Sequence, residues 1–150
     1  MTRTTLSELS EDDQKLVQQA RDIMANAYCQ YSKFKVGAAL LCKNGEVIVG
    51  ANHENASYGA TICAERSAFA NALTKGHREF TAIAVSTELE DPCSPCGICR
   101  QFLIEFGKYK VILSSSTTND IILTDTYELL PYAFTPKSLD DHENEQKHHK

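Results

Sequence analysis

Thr61-Ile-Cys-Ala-Glu-Arg66, read together with Ser94-Pro-Cys-Gly-Ile-Cys-Arg-Gln101, decides how this chain is understood. Cys96 and Cys99 are separated by two residues at the start of a predicted helix, and that spacing points both sulfurs the same way, as a tetrahedral metal requires. Cys63 opens another predicted helix. Free backbone N–H groups and the positive helix ends stabilise thiolates gathered there. Zinc held by three protein ligands keeps a fourth position for water and lowers that water's pKa to about 7. Glu65, two residues after Cys63, can reach that water without being a ligand.

Outward from these stretches, strands alternate with helices. Ser10 with Asp13 forms an N-cap signal, and Leu16, Ala20, Ile23 and Ala27 recur at helical spacing, predicting a helix from Glu11 to Tyr28. Phe34 to Cys42 is strand-like, Asn44-Gly45 marks a two-residue hairpin turn, and Val47-Ile48-Val49 is the return strand. Asn52 to Thr61 is a loop, and a helix runs from Cys63 to Thr74 with Gly76 as its C-terminal cap. Phe80 to Ser86 is an apolar strand, and a Pro-containing loop leads to a third helix ending near Gly107. Lys110 to Leu113 and Ile121 to Leu123 are two further strands, followed by a helical turn over Thr126 to Leu130. The pattern implies an α/β fold, a mixed sheet with helices on both faces, in one domain spanning residues 1–136. The charged stretch 137–150 has no apolar residue after Leu139 and is expected to be a disordered tail.

Composition narrows the function. The N-terminal residues are polar and no apolar run could cross a bilayer, so a cytoplasmic protein is expected, with reduced thiols. In that setting the six cysteines suggest a metal site before disulfides. Net charge is −5 and no stretch is rich in Lys and Arg, which argues against a nucleic-acid partner and for a small substrate.

The three-cysteine set with its Pro-Cys-x-x-Cys half and nearby glutamate matches the signature of zinc deaminases, with Glu65 as acid and base. Three thiolates overcompensate a divalent ion, so Arg66 and Arg100 are candidates to donate to the sulfurs and withdraw charge. Cys93 keeps two alternatives open: part of an iron–sulfur pattern, which Leu103 interrupts, or a four-sulfur structural zinc site without a catalytic water. Cys29 and Cys42 are core residues, and His53 and His77 have no ligand spacing.

The chain resembles the small homotetrameric cytidine deaminases. The resemblance runs from Tyr31-Ser-Lys-Phe-Lys-Val-Gly-Ala-Ala39 through Asn52-His-Glu-Asn-Ala-Ser-Tyr58 and both cysteine blocks to Leu129-Leu-Pro-Tyr-Ala-Phe134. Gln30 stands where that family often has proline. The resemblance implies a three-layer α/β/α fold with a five-stranded mixed sheet, one zinc ion per subunit, and a homotetramer with active sites near subunit contacts. It implies that Asn52 and Glu54 hold the sugar hydroxyls and that Phe34 and Phe134 line the base, Phe134 from a neighbouring subunit. It gives the Ala64 N–H to the pyrimidine carbonyl and Tyr58 to a subunit contact near the sugar. The implied reaction is hydrolytic deamination of cytidine and 2′-deoxycytidine in pyrimidine salvage. The alternatives are another aminated substrate, such as blasticidin S or single-stranded nucleic acid, or a non-enzymatic structural zinc module.

Overall fold

Alternation within single strands sets the layers. The computed structural model describes residues 1–149. Its strands are β1 (Thr2–Thr5), β2 (Val36–Cys42), β3 (Val47–Ala51), β4 (Phe80–Thr87), β5 (Lys110–Ser115) and β6 (Asp120–Asp125). Its helices are α1 (Glu11–Ile23), α2 (Ala64–Thr74), α3 (Gly97–Ile104), α4 (Thr126–Leu129) and α5 (Pro136–His148). The six strands form one mixed sheet in the order β1-β6-β5-β4-β2-β3. Only β4 and β5 run parallel, and such a pair needs a crossover, which α3 supplies.

Ile83 and Val85 of β4 point to one face, Ala82 and Ala84 to the other. On the alanine face, Leu16, Val17 and Ala20 of α1 pack against Ala39, Ala82, Ala84 and Ile112. On the opposite face, α2 and α3 bury Ala64, Ala68, Phe69 and Leu103 over Leu40, Ile83 and Val111. Phe69 sits among Phe80, Phe102 and Phe106, with ring centroids 4.9, 5.7 and 5.3 Å away. These aromatic contacts fix the height of α2 above the sheet. Two glycines allow the helices to approach: a Cβ at Gly37 would lie 1.9 Å from the Ala20 carbonyl oxygen, and one at Gly50 2.4 Å from the Ala68 nitrogen. The first turn of α2, which carries Glu65, is therefore pressed directly onto β3.

The three layers agree with expectation, but several details differ. The sheet has six strands instead of five because β1 pairs with β6, Thr2 opposite Leu123 and Thr5 opposite Asp120. A short, mostly exposed edge strand has no apolar alternation to reveal it. Helix α1 stops at Ile23, not Tyr28, because Tyr28 is drawn into pairing with the 52–54 segment: its N–H donates to the Asn52 carbonyl at 2.9 Å and its carbonyl accepts from Glu54 N at 2.7 Å. Strand β2 begins at Val36, two residues after Phe34. The hairpin loop has three residues instead of two, closed by Cys42 N donating to Glu46 O at 2.9 Å with Gly45 at φ 93°.

The charged C-terminal stretch is helical from Pro136 to His148 where a disordered tail is expected. Thr135 and Ser138 form its capping box, Pro136 occupies the first turn, and Lys137 pairs with Asp141 one turn on at 2.5 Å. None of its residues is buried. Lys150 lies outside the described residues.

Candidate active site

Two helix starts converge on one point. Cys63 is the N-cap of α2 and Cys96 the N-cap of α3, both in extended backbone, and Cys99 is buried one turn into α3. Their sulfurs all lie within 4.8 Å of one another, Cys63 and Cys96 at 3.9 Å. Tetrahedral zinc with Zn–S bonds near 2.3 Å places its sulfurs about 3.8 Å apart, so the donor set fits that ion. Cys93 stands outside the cluster and donates its thiol to the Ser94 carbonyl at 3.4 Å. Among the described residues the cluster therefore has three sulfurs, as a hydrolytic site requires and a four-sulfur structural site does not.

The electrostatics favour the thiolate form at Cys63. The Cys63 pKa is drawn down to about 5, chiefly by its hydrogen bond with Cys99 and then by those with Arg66 and Cys96. The Cys99 thiol is held up by the same Cys63 bond and by burial. Arg66 donates through Nη2 to Cys63 Sγ at 3.8 Å and to the Thr61 carbonyl at 3.4 Å. Arg100 has a different partner, the Leu129 carbonyl at 3.0 Å, which ties α3 to α4.

Glu65 is 5% exposed, and its Oε2 lies 3.6 Å from the Cys99 sulfur. Burial raises its pKa above the ordinary carboxylate value. A carboxylate whose proton affinity is raised in this way accepts a proton more readily than an exposed one.

A cavity of about 360 Å³ opens over this group, within the range of small-molecule sites, and Phe34, Asn52, Glu54, Ala64 and Glu65 line it with Cys63 and Cys96. Ala64 begins α2, so its N–H has no partner within the helix. Asn52 is buried and works as a clasp: Oδ1 accepts from Val36 N at 2.9 Å and Nδ2 donates to the Phe34 carbonyl at 2.8 Å. Glu54 Oε1 accepts from the N–H groups of Tyr31 and Ser32, both at 3.0 Å. Bonds from the Ser32 side chain and backbone hold its carboxylate below the ordinary value.

Tyr58 and Phe134 do not line the cavity of their own chain. Tyr58 is 75% exposed and meets Tyr31 edge-on, and Phe134 is 61% exposed, its carbonyl accepting from Gln101 Nε2 at 2.8 Å. Sequence reasoning missed Ser32, Thr61, Val85, Thr87 and Ser94 as lining residues. Their signals were positional: Thr61 and Ser94 open the two cysteine blocks, Ser32 lies in the Tyr31–Ala39 block, and Thr87 is a polar residue just past an apolar strand, while Val85 gave none.

Residues 10–115 match the family described as the cytidine and deoxycytidylate deaminase zinc-binding region. A cytidine deaminase of Halalkalibacterium halodurans is 47% identical over 132 residues, covering 87% of this chain and 99% of the relative. The crystal structure of cytidine deaminase from Burkholderia pseudomallei superposes with a TM-score of 0.79 at 44% identity, covering 84% of this chain and all of that one. A blasticidin-S deaminase of Bacillus cereus is more distant, 30% identical over 135 residues, or 85% of this chain and 95% of that protein.

Proposed function

Because the chain belongs to the cytidine and deoxycytidylate deaminase family, we propose that it hydrolyses cytidine and 2′-deoxycytidine to uridine and 2′-deoxyuridine with release of ammonia. The observation that carries this reading is the three-sulfur cluster with buried Glu65 beside it at the floor of one cavity. Cys63, Cys96 and Cys99 would hold zinc, which when bound supplies a Lewis acid that makes water a nucleophile near neutral pH.

The chain's own groups do the rest. Glu65 accepts a proton from the attacking water and delivers it to ring N3 as oxygen adds at C4. It then carries the water's second proton to the exocyclic amine; the C4–N bond breaks, ammonia departs, and the uracil carbonyl forms. Burial suits Glu65 to this task because it narrows the gap between carboxylate and water in proton affinity. Arg66 withdraws charge from Cys63, which counters the electron donation of three thiolates. The Ala64 N–H meets the pyrimidine carbonyl, Phe34 flanks the base, and Asn52 and Glu54 take the sugar hydroxyls.

Catalysis is assigned to residues 1–136, and the working form is a homotetramer in the cytoplasm, a salvage enzyme for free nucleosides. Exposed Phe134 and Tyr58, together with the apolar groove of about 560 Å³ along Ile98, Phe102 and Phe106 of the α3 region, support association of like subunits. Thiol clusters of this kind need a reducing compartment, and among the described residues no helix is long and apolar enough to cross a membrane.

The test is an ultraviolet and ammonia-release assay of zinc-loaded protein against cytidine, deoxycytidine, blasticidin S, cytosine and an oligonucleotide. Turnover of the first two is expected. Turnover confined to blasticidin S, or to the oligonucleotide, would overturn the assignment.

A further inference from the structure

Strand β1 lies at the sheet edge, three places from β4, yet it touches the segment that walls the cavity. Arg3 donates through Nη1 and Nη2 to both carboxylate oxygens of Asp91, at 2.7 and 3.1 Å. This two-pronged geometry fixes direction as well as distance. The strand is itself anchored. It pairs with β6, and just after it Leu6 N donates to the Asn119 carbonyl at 2.9 Å.

Asp91 belongs to residues 88–96, which join β4 to α3. The first half of that segment is tied from outside. Thr118 Oγ1 donates to the Glu90 carbonyl at 2.9 Å, Lys35 N to Glu88 Oε2 at 3.3 Å, and Arg3 to Asp91. The second half, Cys93-Ser94-Pro95, faces the cavity and leads into Cys96. Its side-chain hydrogen bonds are internal: Cys93 Sγ to the Ser94 carbonyl and Ser94 Oγ to the Pro95 carbonyl. Pro92, between the two halves, and Pro95, directly before Cys96, are buried and stiffen the chain. Four residues, two of them proline, separate Asp91 from Cys96, so the covalent path from the ion pair to the cavity wall is short.

We propose that Arg3, acting through Asp91, is a positioning residue: the edge strand straps down the β4–α3 segment and so sets both the cavity wall and the seat of Cys96. For its effect on turnover this rests on the proposed reaction; for its effect on metal retention it rests only on the three-sulfur site. The strap is charge-based and exposed on both sides, so salt loosens it.

The test uses the zinc-loaded full chain as Arg3→Ala, Asp91→Ala, and the exchanged pair Arg3→Asp with Asp91→Arg. Steady-state kinetics with cytidine, zinc loss to a chelator and melting temperature are measured across NaCl concentrations. In each single variant KM should rise about threefold with kcat nearly unchanged, and zinc should leave about threefold faster. The melting temperature should stay close to wild type, the differences should vanish near 1 M NaCl, and the exchanged pair should recover them. Single variants equal to wild type in both KM and zinc loss would overturn the strap. So would losses that follow the melting temperature and are not recovered by the exchange. If wild type fails to turn over cytidine while Arg3→Ala still releases zinc faster, the proposed reaction falls and the strap stands.

Discussion

Glu65 shows what one position in a helix can do. It is the second residue of α2, close enough to Cys63 to share its site yet turned by the helix so that its carboxylate meets the thiol of Cys99. Had it occupied an exposed turn, water would hold its pKa at the ordinary value; burial raises it instead. Glu65→Gln keeps the shape and removes the proton carrier. Turnover should fall roughly 10²- to 10⁴-fold while zinc content by metal analysis stays at one per chain. Cys93 is the contrasting residue, a sulfur on the cavity wall whose thiol is spent on the Ser94 carbonyl. Cys93→Ser should therefore retain full zinc, whereas Cys96→Ser should lose it. Loss of metal from both would point to a four-sulfur site and undo the hydrolytic reading.

At the scale of elements, α2 carries Glu65 and is capped by Cys63, and its place is set by what lies beneath it. Gly50 has no side chain, and a Cβ there would stand 2.4 Å from the Ala68 nitrogen and 2.5 Å from the Ala64 carbonyl oxygen, both backbone atoms that cannot swing aside. Gly50→Ala should lower stability by about 1–3 kcal/mol in a thermal melt, since α2 has to lift off the sheet. Its kcat/KM should fall by roughly tenfold or more, because a shift near 1 Å at the helix start misaligns Glu65. A melt unchanged from wild type would show that the helix is seated elsewhere. Elements of this kind were legible in the sequence: α2, β4 and the Cys96 turn announce themselves by apolar period and by the cysteines. Strand β1 and the early end of α1 were not legible because partners far along the chain hold them. Strand β1 exists because β6 offers an edge, and α1 ends early because Tyr28 pairs with Asn52; α5 instead rests on a local capping box and one ion pair, signals outweighed in the sequence by a charged stretch with no buried face. Local pattern cannot signal a partner it does not contain. In the site, likewise, the metal ligands were readable from spacing, while the grip of Asn52 on Phe34 and Val36 appears only once two strands lie side by side.

At the scale of the whole molecule, Phe134 lies apart from the cavity of its own chain. Phe34 flanks it from its own loop, but Phe134, expected on the base, stands 61% exposed with its carbonyl held by Gln101 on α3. An aromatic side chain left in water beside an apolar groove gains by entering a neighbour, and a symmetric assembly would offer every cavity one such ring. Phe134→Ala should then raise KM by roughly tenfold or more, the usual scale for losing a ring stacked on a base. That result alone does not say whose ring is used, but mixing does. Phe134→Ala subunits keep Glu65 and lack the ring; Glu65→Gln subunits keep the ring and lack the proton carrier. In tetramers co-expressed from both, a Phe134→Ala subunit beside a Glu65→Gln neighbour has its own Glu65 and receives the neighbour's phenylalanine. With random assembly about a quarter of all sites should regain normal KM if each site draws on one neighbour. If the ring serves its own chain, no combination restores it, and low-KM turnover from the mixture stays at the level of the separate variants. A monomeric protein by light scattering, active at full rate, would remove the shared site altogether.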